Sequence, residues 1–200
     1  MTKPNHRAPS FSLCVFCGSR SGADPHHLAM AERVGAWIGR HGGRLVYGGG
    51  QYGLMGRVAD ATLAAGGTVV GIIPQTLVER ECAKRDCTEL HIVQTMHQRK
   101  QMMAERADAF VVLPGGIGTL EEAFEVWSWR QLGVHDKPIG WLNVDGYYDA
   151  LLTFLAQTVR AGFVGAAPMN LITVGDNPET LLPQLVQAAG VQAPADWRGI

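Results

Sequence analysis

The sequence has no apolar run near the roughly 18 residues that a membrane span requires, and no excess of charge, its formal net charge being −1. The first absence argues against a membrane-spanning chain. The second argues against a nucleic-acid partner, because no arm or face is dominated by Lys and Arg. Met1–Ser10 is polar and proline-bearing and lacks an apolar h-region, so no signal peptide is expected and the expected location is the cytoplasm. Cysteine is scarce, at four residues. Cys14 and Cys17 form a C-x-x-C spacing, but they fall on a predicted strand, where positions three apart face opposite sides and cannot share an ion. Cys82 and Cys87 lie in a charged connection with no good zinc spacing. His26, His27, His91, His97 and His135 have no metal-ligand spacing either, and there is no G-x-S-x-G nucleophile elbow. No metal is expected.

What is present is glycine, 25 residues of it, set between alternating strand-like and helix-like segments. Two hundred residues suit one domain with a core of useful size. The expected domain spans residues 11–190, with loose tails at 1–10 and 191–200. Strands are predicted at Phe11–Phe16, Leu45–Tyr47, Thr68–Ile73, Leu90–Val93, Ala109–Leu113, Pro138–Val144 and, as a possible seventh, Leu171–Val174. Helices are predicted at Pro25–Arg40, Leu54–Ala65, Met96–Ala107, Glu121–Leu132 and Tyr147–Arg160. Strand–helix units of this length need crossover connections, so the expected fold is α/β: a Rossmann-like, doubly wound, mostly parallel sheet of six or seven strands flanked by helices. In such sheets the ligand sits beyond the carboxyl ends of the strands, where strand order reverses.

The stretch Pro114-Gly-Gly-Ile-Gly-Thr-Leu-Glu-Glu122 follows the buried-looking strand Ala109–Leu113 and leads into a helix. Unpaired N–H groups at such a helix start, and the helix dipole, favour an anion, and glycines let it approach closely. Two carboxylates, Glu121 and Glu122, are surplus to a phosphate cradle. They could be ordinary dipole partners of a first helical turn. Consecutive helical residues point about 100° apart, however, so only one is expected to face the ligand. Met96-His97-Gln98-Arg99-Lys100 opens another helix on the same rim. Cations at a helix N-terminus gain nothing from the dipole without an anion nearby, a local conflict that points to a functional role, above all for Arg99. A carboxylate kept ionised by Arg99 and the dipole suits a reaction with a cationic transition state. Phosphate recognition joined to such a transition state points to breaking the anomeric bond of a sugar phosphate. Gly48-x-Gly50-x-x-Gly53 formally matches a dinucleotide fingerprint. The following strand, Val70–Gln75, supplies neither the acidic ribose partner nor an arginine, so a tight turn beneath a neighbouring ligand is the plainer interpretation.

Taken together, Gly48-Gly49-Gly50 with Gly53-Leu54-Met55-Gly56, then Met96–Lys100, then the P-G-G-x-G-T-x-x-E run, resemble the LOG (Lonely Guy) family. Gln131–Pro138 and Asn143–Tyr148 extend the likeness, which runs from about Ser12 to Met169. The resemblance implies a cytokinin riboside 5′-monophosphate phosphoribohydrolase. Such an enzyme hydrolyses the N-glycosidic bond of N6-substituted AMP, and many similar proteins also act on AMP. It implies Arg99 and Glu122 as the catalytic pair. It also implies a nucleotide site built from Glu81, Arg99, Lys100, Gly115, Gly116, Ile117, Gly118, Thr119, Leu120 and Glu121. Gly18, Ser19, Gly49, Gly50 and Met103 complete the expected substrate-binding set. No cofactor is implied, and a homodimer or larger homo-oligomer is. Ile117 departs from the Tyr that many family members carry, which bears on base or side-chain preference.

Two other chemistries are weighed against this. A lysine decarboxylase label has been attached to similar proteins, but that reaction needs a pyridoxal phosphate Schiff base. Of Lys3, Lys84, Lys100 and Lys137, only Lys100 is expected near the site. The alternative from another class is a non-catalytic nucleotide or molybdenum-cofactor carrier, which would use the phosphate loop without needing Arg99 and Glu122 together.

Overall fold

A computed structural model describes residues 9–79 and 82–191. Seven strands form one parallel sheet: β1 (Ser12–Phe16), β2 (Arg44–Tyr47), β3 (Thr68–Pro74), β4 (Glu89–Val93), β5 (Ala109–Val112), β6 (Ile139–Leu142) and β7 (Ile172–Gly175). Their spatial order is β4–β3–β2–β1–β5–β6–β7, and every pairing is parallel. The chain therefore winds outward from β1 in one direction, returns, and winds outward from β5 in the other. The reversal lies between β1 and β5, whose carboxyl-end loops part there and open a crevice.

The helices are α1 (Pro25–Arg40), α2 (Gly53–Ala64), α3 (Met96–Glu105), α4 (Ile117–Gln131), α5 (Asp149–Arg160), α6 (Ala166–Met169) and α7 (Pro178–Ala188). Alternation along each strand feeds two cores, one on each face of the sheet. Leu13, Val15 and Cys17 pack with α1, α2 and α7; Cys14 and Phe16 pack with α3, α4 and α5. The two cysteines thus do face opposite sides. The α1–α2 contact is close because Gly35 and Gly39 present bare backbone: a Cβ on Gly35 would lie 2.3 Å from the Val58 carbonyl. Phe124, Trp127, Trp141 and Tyr148 make a chain of aromatic contacts in the second core, and the Trp127 indole donates to the Pro168 carbonyl at 2.9 Å.

Strand positions follow the sequence pattern to within a residue or two. Three helical features differ. The helix after the glycine stretch starts at Ile117 rather than Glu121, because Gly118, Thr119 and Leu120 take up the first turn with Gly116 as N-cap. Glycine costs little at an end that is only half-bonded. Helix α5 starts at Asp149, after a 3₁₀ turn over Val144–Gly146 in which Asp145 has φ +50°. Helix α7, with Asn177 as N-cap and Pro178 in its first turn, joins α1 and α2 on the first core and lies outside every predicted helix.

Candidate active site

Three loops meet at the β1/β5 crevice and are held to one another by main-chain bonds. Gly18 N–H donates to the Pro114 carbonyl at 3.0 Å, and the Gly18 carbonyl accepts from Leu54 and Met55, which open α2. Gly53, at φ +62°, lies so close to the Ser19–Arg20 peptide that a Cβ would stand 2.4 Å from the Ser19 carbonyl carbon. The G-x-G-x-x-G pattern is accounted for here by loop packing.

The β5–α4 loop is braced from outside. Tyr148 donates to the Leu113 carbonyl at 2.6 Å and Tyr147 to the Gly115 carbonyl at 2.8 Å. Gly115 has no room for a side chain, since a Cβ would lie 2.1 Å from Thr119 Oγ1. Gly116 and Gly118 differ: a Cβ on either would meet nothing within 4 Å. Gly116 caps α4 without a side-chain acceptor, so the first-turn N–H groups point at that open space.

Helix α3 carries the opposing cation. Thr95 and Gln98 form a capping box that sets its first turn. Arg99, only 4% exposed, passes inward, and its Nη2 donates to the Gly48 carbonyl at 2.9 Å. The neighbouring Lys100 turns the other way, and its Nζ bridges Glu121 (2.5 Å) and Glu125 (2.8 Å) on α4. Burial works against the charged form of Lys100, but the two carboxylates win and hold its pKa above the ordinary value. The adjacent acids of α4 diverge in the same way. Glu121 meets Lys100, while Glu122 lies near Cys17, whose thiol is pushed far up, first by burial and then by the Glu122 charge. Because α4 starts at Ile117, both acids sit in its second turn and are not ordinary partners of the helix start.

The cavity enclosed by these loops measures about 880 Å³, within the range of small-molecule sites. Of the expected residues, its wall contains Gly18, Ser19, Arg99, Gly115, Gly116, Ile117, Gly118, Thr119, Glu121 and Glu122. Lys100, Leu120, Gly49, Gly50 and Met103 are not on that wall, and Met103 is packed in the second core. Glu81 lies outside the described residues. Arg20, Asp24, His27, Met96 and Tyr147 also line the cavity, outside the expected site set. Tyr147 falls inside the Asn143–Tyr148 stretch that carried part of the resemblance, whereas Arg20 and His27 had no signal beyond lying on or after a rim loop. Among the described residues, one exposed trio, Asp24, His26 and Asp145, brings possible ligand atoms within 4.8 Å of one another. Its members are up to 121 residues apart in the chain, beyond any spacing rule, and exposed groups of this kind do not by themselves make a metal site.

Residues 55–185 match a family model described as "Possible lysine decarboxylase". The chain is 48% identical over 173 residues to the cytokinin riboside 5′-monophosphate phosphoribohydrolase LOG7 of Arabidopsis thaliana, a match covering 86% of this chain and 80% of that protein. It is 45% identical over 183 residues to the probable cytokinin riboside 5′-monophosphate phosphoribohydrolase LOG4 of Oryza sativa subsp. japonica, covering 92% and 80%. Among solved structures it resembles the Moco carrier protein of Chlamydomonas reinhardtii, with TM-score 0.67, 21% identity and 92% and 99% coverage. At that identity the likeness bears on fold alone.

A pyridoxal phosphate enzyme would need a lysine Nζ in the cavity. Lys84 bridges Asp60 and Asp86, Lys100 bridges Glu121 and Glu125, and Lys137 donates to the Ala104 carbonyl. None of the three lines the cavity, so the described residues do not fit that cofactor.

Proposed function

The chain belongs to the LOG family, and from that membership we propose that it hydrolyses the N-glycosidic bond of cytokinin riboside 5′-monophosphates and of AMP, giving the free base and ribose 5-phosphate. The observation that carries this is the meeting of Arg99, Glu122 and the open first turn of α4 on one cavity wall at the β1/β5 crevice. The relatives named as cytokinin riboside 5′-monophosphate phosphoribohydrolases support the same substrate class.

In this proposal the 5′-phosphate lies against Gly116–Thr119, where Gly116 and Gly118 leave space that the protein itself does not fill. Glu122 faces the ribose, where positive charge builds as the C1′–N bond lengthens. Arg99, held by the Gly48 carbonyl, positions the sugar and acts with Glu122 as the catalytic pair. The bonding electrons leave with the base, water adds its oxygen to C1′, and one water proton balances the departing base. Substrate recognition without a metal, a cytoplasmic location and a homodimer or larger homo-oligomer belong to the same proposal. Support for assembly comes from large apolar side chains left exposed, notably Ile117, Leu132, Val134 and Phe163.

Incubation with AMP or isopentenyladenosine monophosphate, without added metal, is expected to yield free base and ribose 5-phosphate by chromatography. Nucleoside plus inorganic phosphate would refute the proposal. Glu122→Gln is expected to abolish turnover while retaining ligand binding; a carrier would turn over nothing in either form.

A further inference from the structure

The charges around the cavity leave the phosphate side one cation short if the family resemblance is followed literally. Lys100, expected at the nucleotide, is committed to Glu121 and Glu125 and lies off the wall. Arg99 is buried and committed to the Gly48 carbonyl. The start of α4 supplies only about half a positive charge, whereas a phosphate monoester carries about one and a half to two negative charges at neutral pH.

Among the described residues, the remaining lysine or arginine that lines the cavity is Arg20, at the middle of the β1–α1 loop. Among the described residues no carboxylate forms an ion pair with it. Its loop is pinned on both sides. Gly18 bonds to Pro114 and lies against Gly115, with a would-be Cβ 3.4 Å from the Gly115 Cα. Gly53 lies against the Ser19–Arg20 peptide, and Gly22, at φ +76°, abuts the His27 ring. Ordering this loop therefore requires no ligand, and its arginine starts two residues from the contact with the phosphate loop. A guanidinium suits bidentate contact with phosphate oxygens.

We propose that Arg20 is the cation that recognises the 5′-phosphate, and that Lys100 is a positioning residue. In that role Lys100 holds Glu121 back against α3, so that its charge does not oppose the phosphate at the start of α4. The assignment rests on the phosphoribohydrolase reading of the cavity and specifies which residue reads the phosphate.

The test compares ribose 5-phosphate with ribose, by direct titration and as inhibitors of AMP hydrolysis, in the wild type, Arg20→Ala, Arg20→Lys and Lys100→Met. Arg20→Ala is expected to weaken ribose 5-phosphate binding roughly ten- to a hundredfold, the scale of one charged hydrogen-bonding pair, while leaving ribose unchanged. Arg20→Lys should recover only part of the loss, since it restores the charge without the bidentate fork, and Lys100→Met should lower kcat more than it changes the preference for phosphate. An unchanged phosphate preference in Arg20→Ala, or its selective loss in Lys100→Met, overturns the assignment. So does a wild type that fails to bind ribose 5-phosphate. A wild type that binds it but does not hydrolyse AMP would instead refute the reaction while leaving the Arg20 comparison readable.

Discussion

Gly48→Ala probes the catalytic pair without touching either member. A Cβ at position 48 would stand 2.0 Å from Arg99 Nη2, 3.0 Å from its Cζ and 2.8 Å from Met55 Cε. The Met55 methyl can swing aside, but the buried guanidinium is held by the same residue's carbonyl and has to move by about 1 Å or more to regain van der Waals distance. A displacement of that size at a positioned catalytic group costs on the order of a hundredfold in rate. Weakening the charged hydrogen bond to the Gly48 carbonyl costs about 1.5–3 kcal/mol of stability, or a fall in Tm of roughly 3 to 12 °C for a chain of this size. Base release from AMP gives kcat and KM, and thermal unfolding followed by circular dichroism gives Tm. The expected result is a folded protein with a modestly lower Tm and a kcat about a hundredfold down. Gly118→Ala is the control, because its Cβ lies inside the first turn of α4 and meets nothing within 4 Å: Tm should hold or rise while KM for the nucleotide rises. A Gly48→Ala enzyme with wild-type kcat would refute the placement of Arg99 in the reaction.

Gly35→Ala, whose Cβ would press on the Val58 carbonyl at 2.3 Å and on Ala61, is expected to lower stability by about 1–3 kcal/mol with KM unchanged, read by urea unfolding and kinetics. Tyr148→Phe removes the donor to the buried Leu113 carbonyl and is expected to cost about 1–3 kcal/mol in the same unfolding assay. His135 uses both ring nitrogens in its neutral form, one toward the Val126 carbonyl and one accepting from Lys137 N–H. Burial, opposed by the Val126 bond and helped by the Lys137 and Arg130 charges, lowers its pKa below the ordinary 6.5. The unfolded chain therefore takes up the proton first, so this contribution is complete above about pH 6.5 and is lost as pH falls below it. His135→Gln should flatten that part of the pH–Tm curve, and an unchanged curve would exclude His135 as its source. Cys14 and Cys17 are buried and their thiols are held protonated, chiefly by burial, so mass spectrometry should find both unmodified after native-state treatment with a thiol reagent.

Much of the architecture follows from local sequence alone. Alternating apolar runs and capped helical segments specify parallel strand–helix units, because period and punctuation are properties of neighbouring residues. The glycine run at 114–118 and the Arg99–Lys100 pair were legible for the same reason, each being a local conflict or local signature. The start of α4 was not, since glycine reads as loop until a tertiary frame holds it in a turn. Helix α7 was also missed, although Asn177 and Pro178 form a recognisable start.

The fold class and the stretches that face the ligand rim depend on spacing along the chain and so can be read without a structure. Tertiary structure alone decided which members of those stretches reach the cavity. Arg99 and Lys100 are adjacent in sequence, yet one turns inward to Gly48 and the other outward to Glu121 and Glu125. Arg20 and Tyr147, far apart in the chain, line the same cavity. The reason is geometric: a helix rotates successive side chains by about 100°, and a sheet that reverses at β1/β5 brings distant loops to one rim.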